Sequence, residues 1–187
     1  MSDTSGEHAS GPTGSVVLIG PPGAGCTTVG RALAGVRGVP VADLGEEVAR
    51  AAGTSPDVAL VAVPEVRYRR IEAAIALDLL AGAARAANRP MVNALGSGCL
   101  EDPEVRRSLD EVVDAGGRVV ALTASTRCLA TRDGLDAPRS IALRGVRRAF
   151  VQMLHARRTL CGGLAAAQID TTQTTPREAA ALIADDW

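Results

Sequence analysis

The 187 residues make a chain of one-domain length, 47% apolar and 22% charged, which excludes a disordered or collagen-like polymer. Its 20 basic residues, every one an arginine, nearly cancel 21 acidic ones for a net charge of −1, so neither a general nucleic-acid binder nor a polybasic membrane anchor fits. No run reaches the roughly 18 apolar residues of a membrane span, the start MSDTSGEHASGPTG lacks a signal-peptide core, and the four cysteines lack zinc or disulfide spacing, so the cytoplasm is the expected compartment.

Aromatic residues make up only 2%, so the core has to come from Ala, Val, Leu and Ile, which suits helices packed on a parallel sheet. Residues 1–14 read as a disordered polar tail and 15–187 as one domain. A buried strand is predicted at 16–19, a glycine-rich loop at 20–25 and a helix at 27–34. A second strand follows at 39–42, then helices at 46–52 and 65–87. The apolar run 57–63 between them suits a buried helical turn or a strand, with helix preferred because Pro64 and Glu65 then open the long helix. Residues 91–94 form a third strand ending in Leu95-Gly96-Ser97-Gly98, and 103–114 a helix stopped by Gly116-Gly117. A fourth strand at 118–122 leads to a helix at 126–132, a mobile segment at 133–144, a long helix at 145–161, a fifth strand at 167–170 and a closing helix after Pro176. This alternation implies an α/β fold whose ligands bind off the carboxyl ends of the strands.

The segment Gly20-Pro21-Pro22-Gly23-Ala24-Gly25-Cys26-Thr27 follows a strand, opens a helix and has the P-loop frame GxxxxGK[ST] except at its seventh position. Glycines let successive N–H groups point inward, and the helix N-terminus adds positive potential; both suit a phosphate. Thr27 supplies the hydroxyl that reaches Mg²⁺ in such loops. Cys26 stands where a lysine belongs, and a neutral thiol cannot bridge phosphates. A helix N-terminus should also acidify that thiol. Cys99, Cys128 and Cys161 read as small buried hydrophobes, His155 as a helix-surface residue, and Glu72 as an intrahelical partner of Arg69.

From about residue 16 to 183 the chain resembles the shikimate kinases, small P-loop kinases of the nucleoside-monophosphate-kinase type. VVLIGPPGAGCTTVGRALA resembles their first strand, P-loop and first helix, and VADLGEEVARAAG their acidic DxD segment. PEVRYRRIE resembles the motif GExxFRxxE, LGSGCL the GGG turn, and RRTLCGGLAAAQIDT the helix and last strand near substrate and adenine. The resemblance implies a three-layer P-loop kinase fold with a five-stranded parallel sheet and a lid at about 133–145. It also implies transfer of the ATP γ-phosphoryl group, with Mg²⁺, to the 3-hydroxyl of shikimate in aromatic amino acid biosynthesis.

By resemblance, Gly23, Ala24, Gly25, Cys26, Thr27 and Thr28 face ATP, and Gln173 and Thr174 the adenine. Arg69 and Arg157 match the arginines that hold the substrate carboxylate, Gly96, Ser97 and Gly98 match the substrate turn, and Asp43 matches the first acid of DxD. Gly45 replaces the second acid and Ala137 the lid arginine, with Arg139 the nearest substitute. Together with Cys26, these replacements leave no intact catalytic residue at those positions and imply an impaired or inactive kinase. The alternative is an inactive shikimate- or nucleotide-binding paralogue that regulates or scaffolds a protein of the aromatic pathway.

Overall fold

Five short segments rich in Val, Leu, Ile and Ala pair in parallel: β1 Val16–Ile19, β2 Val41–Asp43, β3 Val92–Ala94, β4 Arg118–Thr123 and β5 Ala167–Asp170, in the order β2-β3-β1-β4-β5. The structure is a computed structural model describing residues 14–86, 89–132 and 144–185. Most of the expected tail and lid, including Ala137 and Arg139, lies outside the described residues. Gly14, assigned to the tail from sequence, is buried against the Gly116-Gly117 turn, where a Cβ would overlap the Gly116 carbonyl.

Central β1 pairs with β3 (Val16 opposite Val92) and with β4 (Val16 opposite Arg118). Its alternate side chains enter two cores, as a strand covered on both faces requires. Val17 and Ile19 pack with Val119, Ala121, and residues of α2 (Leu44–Ala52), α4 (Glu65–Arg85) and α5 (Pro103–Asp114). Val16 and Leu18 pack with Val120, Leu122, and residues of α1 (Cys26–Arg37), α6 (Thr126–Arg132), α7 (Arg144–Leu164) and α8 (Pro176–Asp185). No described helix is long and apolar enough to cross a membrane.

The ambiguous run at 57–63 resolves as the preferred helix, α3 (Pro56–Ala62), and not as a strand. Other boundaries moved for local reasons. Helix α1 passes Ala34 and ends where Gly38, at φ 65, turns its N–H onto the Ala34 carbonyl. Val39 also donates to Ala34 and Pro40 has no donor, so β2 begins at Val41 rather than 39. Helix α2 starts two residues early, at Leu44, because Asp43 Oδ1 accepts the Glu46 N–H at 3.1 Å and caps it. Helix α7 runs through Gly162-Gly163 to Leu164 instead of stopping at 161. A 3₁₀ turn at Cys99–Glu101, absent from the sequence reading, leads into α5.

Candidate active site

The carboxyl ends of β1, β2, β3, β4 and β5 deliver one cleft of about 1080 Å³, lined by the P-loop, Asp43, Gly45, Arg69, Gly96–Gly98, Arg132 and Arg157, among others. That is ample room for a nucleotide beside a small ring. The P-loop backbone has the required form: Gly23 and Gly25 sit at φ 76 and 98, conformations that favour glycine. Gly20 is needed for space, since a Cβ there would lie 2.7 Å from the Leu122 carbonyl oxygen.

At the loop's edge the Thr27 hydroxyl donates to Asp43 Oδ2 at 2.6 Å. Asp43 is thus shared between Thr27 and the cap of α2, which fixes both of its oxygens. The Thr28 hydroxyl donates to the Gly25 carbonyl at 3.1 Å. Gly45 faces the cleft with ordinary backbone, and a Cβ there would meet only Asp43 Oδ1, at 3.2 Å.

Cys26 corrects the sequence reading. Desolvation, the largest influence, pushes its thiol up to about 12, outweighing the Gly96 N–H that bonds it. The thiol is therefore neutral at physiological pH rather than acidified by the helix N-terminus. Cys99 and Cys161 are buried as expected, whereas Cys128 is half-buried.

Across the cleft, Arg69 Nη1 donates to the buried Glu72 at 2.8 Å, with Glu65 4.0 Å from Nε. Burial alone would lower the Arg69 pKa, but the Glu72 bond and charge reverse that and raise it. Gly98 makes room for the pair: a Cβ would lie 2.5 Å from Glu72 Oε1 and 2.7 Å from Arg69 Nη1. Gly96, at φ 70, is required by conformation instead. Arg157 donates from Nη1 to Ser97 Oγ at 3.3 Å and from Nη2 to Glu101 Oε1 at 2.6 Å. Thr174 lines the same cleft, its hydroxyl donating to the Asp170 carbonyl at 3.1 Å.

Two site residues escaped the sequence reading. Arg132 donates from Nη1 to the Gly23 carbonyl at 3.0 Å and from Nη2 to the Thr171 carbonyl at 2.7 Å, bringing a cation against the P-loop. In sequence it looks like any basic residue closing a helix. Glu101 lies in the unforeseen 3₁₀ turn, where no periodicity signals which way a side chain faces. Thr171, from the motif expected near the adenine, ties the loop down: its hydroxyl is 2.9 Å from the Ala24 carbonyl oxygen and 3.1 Å from that of Thr123.

A phosphate-cradling loop between β1 and α1, at the centre of a 2-3-1-4-5 parallel sheet, defines the class as a P-loop kinase fold. A sequence model of the family described as shikimate kinase matches residues 22–186. The chain belongs to the shikimate kinase family. It is 38% identical over 170 residues to a shikimate kinase of Thermobifida fusca (strain YX), covering 91% of this chain and 92% of the relative. It is 32% identical over 163 residues to that of Streptomyces coelicolor, covering 87% and 89% of the two chains. Among solved structures, the shikimate kinase from Acinetobacter baumannii in complex with shikimate superposes with a TM-score of 0.70 at 26% identity, covering 91% of this chain and 90% of that one.

Proposed function

We propose that this chain is a shikimate kinase of strongly reduced turnover, binding ATP at the P-loop and shikimate, or a closely related ring carboxylate, beside Arg69 and Arg157. The observation that carries the reading is that the phosphate loop and both arginines open onto one cleft. Inward N–H groups of Gly23 to Thr28 receive the phosphates. The planar guanidinium of Arg69, already oriented by Glu72, suits a bidentate grip on a carboxylate. Thr174 lines the cleft and, with Gln173, matches the family's adenine-side positions, and Arg139 is by resemblance the nearest substitute for the lid arginine.

The residues present fit Mg²⁺: the Thr27 hydroxyl and the Asp43 carboxylate are adjacent hard oxygen donors at the loop's edge. Bound with ATP, that ion neutralises charge on the phosphate oxygens. The remaining chemistry falls to side chains that are poorly equipped for it. Cys26 brings no positive charge toward the transferred group, and Gly45 brings no carboxylate to orient the attacking hydroxyl. Arg132 contributes a cation, but its nitrogens are engaged with Gly23 and Thr171.

A second reading, a paralogue that binds without turnover and acts on a protein of the aromatic pathway, is favoured by the absence of both a cation at Cys26 and a carboxylate at Gly45 in an otherwise formed cleft. Calorimetric titration separates the substrate site from the chemistry. Shikimate binds the wild-type chain and is lost in Arg69→Ala; equal affinity in both proteins would overturn the assignment of that site.

A further inference from the structure

The two arginines of the cleft are not equally free to receive a ligand carboxylate. Arg69 is held by Glu72 from its own helix, three residues on, which orients it toward the cleft. Arg157 is engaged at both terminal nitrogens by the connection between β3 and α5: Ser97 Oγ takes Nη1 and Glu101 Oε1 takes Nη2. The Arg157 side chain is 14% exposed and that of Glu101 67% exposed. This asymmetry decides which partner moves. Released into water, Glu101 regains its hydration, whereas Arg157 without an anion would be a desolvated cation. The turn carrying Glu101 is itself fixed, because Arg106 Nη1 donates to the carbonyls of Leu100 at 2.6 Å and Glu101 at 3.1 Å. Only the Glu101 side chain needs to swing. Its charge also reaches Arg69, helping to keep that guanidinium protonated.

We propose that Glu101 is a specificity-determining residue of the substrate side of the cleft, an internal carboxylate that occupies Arg157 in the unliganded protein and is exchanged for the carboxylate of the ligand. The inference rests on the shikimate reading above. The exchange trades one charge-assisted bond for another, so it weakens binding of every carboxylate ligand by the strength of the resident pair. A neutral ring alcohol has no anion with which to displace Glu101 and gains nothing from Arg157.

The test is titration of shikimate, and separately of its methyl ester, into the full chain and into Glu101→Gln, which keeps the side chain's shape but not its charge. Shikimate should bind the variant about three- to tenfold more tightly, the scale of a half-exposed charge-assisted bond. The ester should be unaffected, and adding Arg157→Ala should erase the gain. Equal or weaker shikimate binding by Glu101→Gln overturns the proposal, the weaker result marking Glu101 as a residue that merely positions Arg157. Equal tightening of both ligands overturns it as well, since the cleft would have opened without regard to charge. If neither protein binds shikimate, the reading of the site fails and the proposal falls with it. A missing difference between two proteins that both bind leaves that reading intact.

Discussion

Replacing Cys26 with lysine tests what this P-loop lacks. The surrounding frame is ready for the side chain: Gly23 and Gly25 hold left-handed conformations, and Thr27 is locked to Asp43 at 2.6 Å. Removing one strong contact to charge developing in a transition state costs about 3–4 kcal/mol, so restoring it should raise turnover roughly 10²–10³-fold. The same site penalises the lysine when no nucleotide is bound. Desolvation pushes the native thiol up to about 12, and that environment disfavours an ammonium too, with the Asp43 carboxylate offsetting part of the cost. Cys26→Lys should therefore melt a few degrees lower without nucleotide and recover with ATP and Mg²⁺. Gly45→Asp should do little alone, because its Cβ would sit 3.2 Å from Asp43 Oδ1 and two carboxylates would crowd. Combined with the lysine it should add more than its separate effect, since these groups act as a unit. Shikimate 3-phosphate is measured by mass spectrometry over time at saturating ATP. If neither Cys26→Lys nor the double variant exceeds wild type while ATP binding is intact, the missing cation is not what limits this chain.

Three further outcomes follow from the geometry. Gly98→Ala keeps an allowed backbone, at φ −63, but sets a methyl 2.5 Å from Glu72 Oε1, so calorimetry should record shikimate affinity down about tenfold or more, with a lower melting temperature because the buried Glu72 has to move. Asn93 is 0% exposed and neither polar atom of its side chain finds a partner among the described residues. Asn93→Leu should stabilise the protein by about 1–2 kcal/mol in urea unfolding, and an unchanged or lower midpoint would show that the amide is satisfied. Burial raises the Cys26 and Cys161 thiols from 9.0 to about 12 and about 11, so the folded chain holds these protons more tightly than the unfolded one. Their contribution to stability is full below pH 9 and is lost as pH rises toward 11 and 12. Melting temperatures across that window should fall, and fall less steeply in Cys161→Ala.

The features legible in sequence were those written in local pattern. The glycine spacing of the P-loop, the alternation of apolar strands with helices and the order of the family motifs located β1, α1, Asp43, Arg69 and the Gly96–Gly98 turn, and all of them line the cleft or lead into it. Boundaries escaped where one side chain or carbonyl decided them, as when Asp43 capped α2 early or Ala34 captured Val39. The Cys26 thiol was misjudged because a helix N-terminus is visible in sequence, whereas the desolvation of a half-buried side chain by its tertiary surroundings is not. The partnership of Arg157 with Glu101 spans 56 positions and two elements, and only the tertiary fold brings them together.

If both substrates bind while the chemistry is crippled, the deficit must show in the rate at which the purified wild-type chain forms shikimate 3-phosphate from ATP and shikimate with Mg²⁺. An Arg69→Ala control run in parallel exposes any contaminating kinase. Product should disappear in Arg69→Ala and should form orders of magnitude more slowly than the ~10 s⁻¹ typical of enzymes. Turnover at ~10 s⁻¹ or faster would contradict it, because Cys26 and Gly45 would then have cost the reaction nothing.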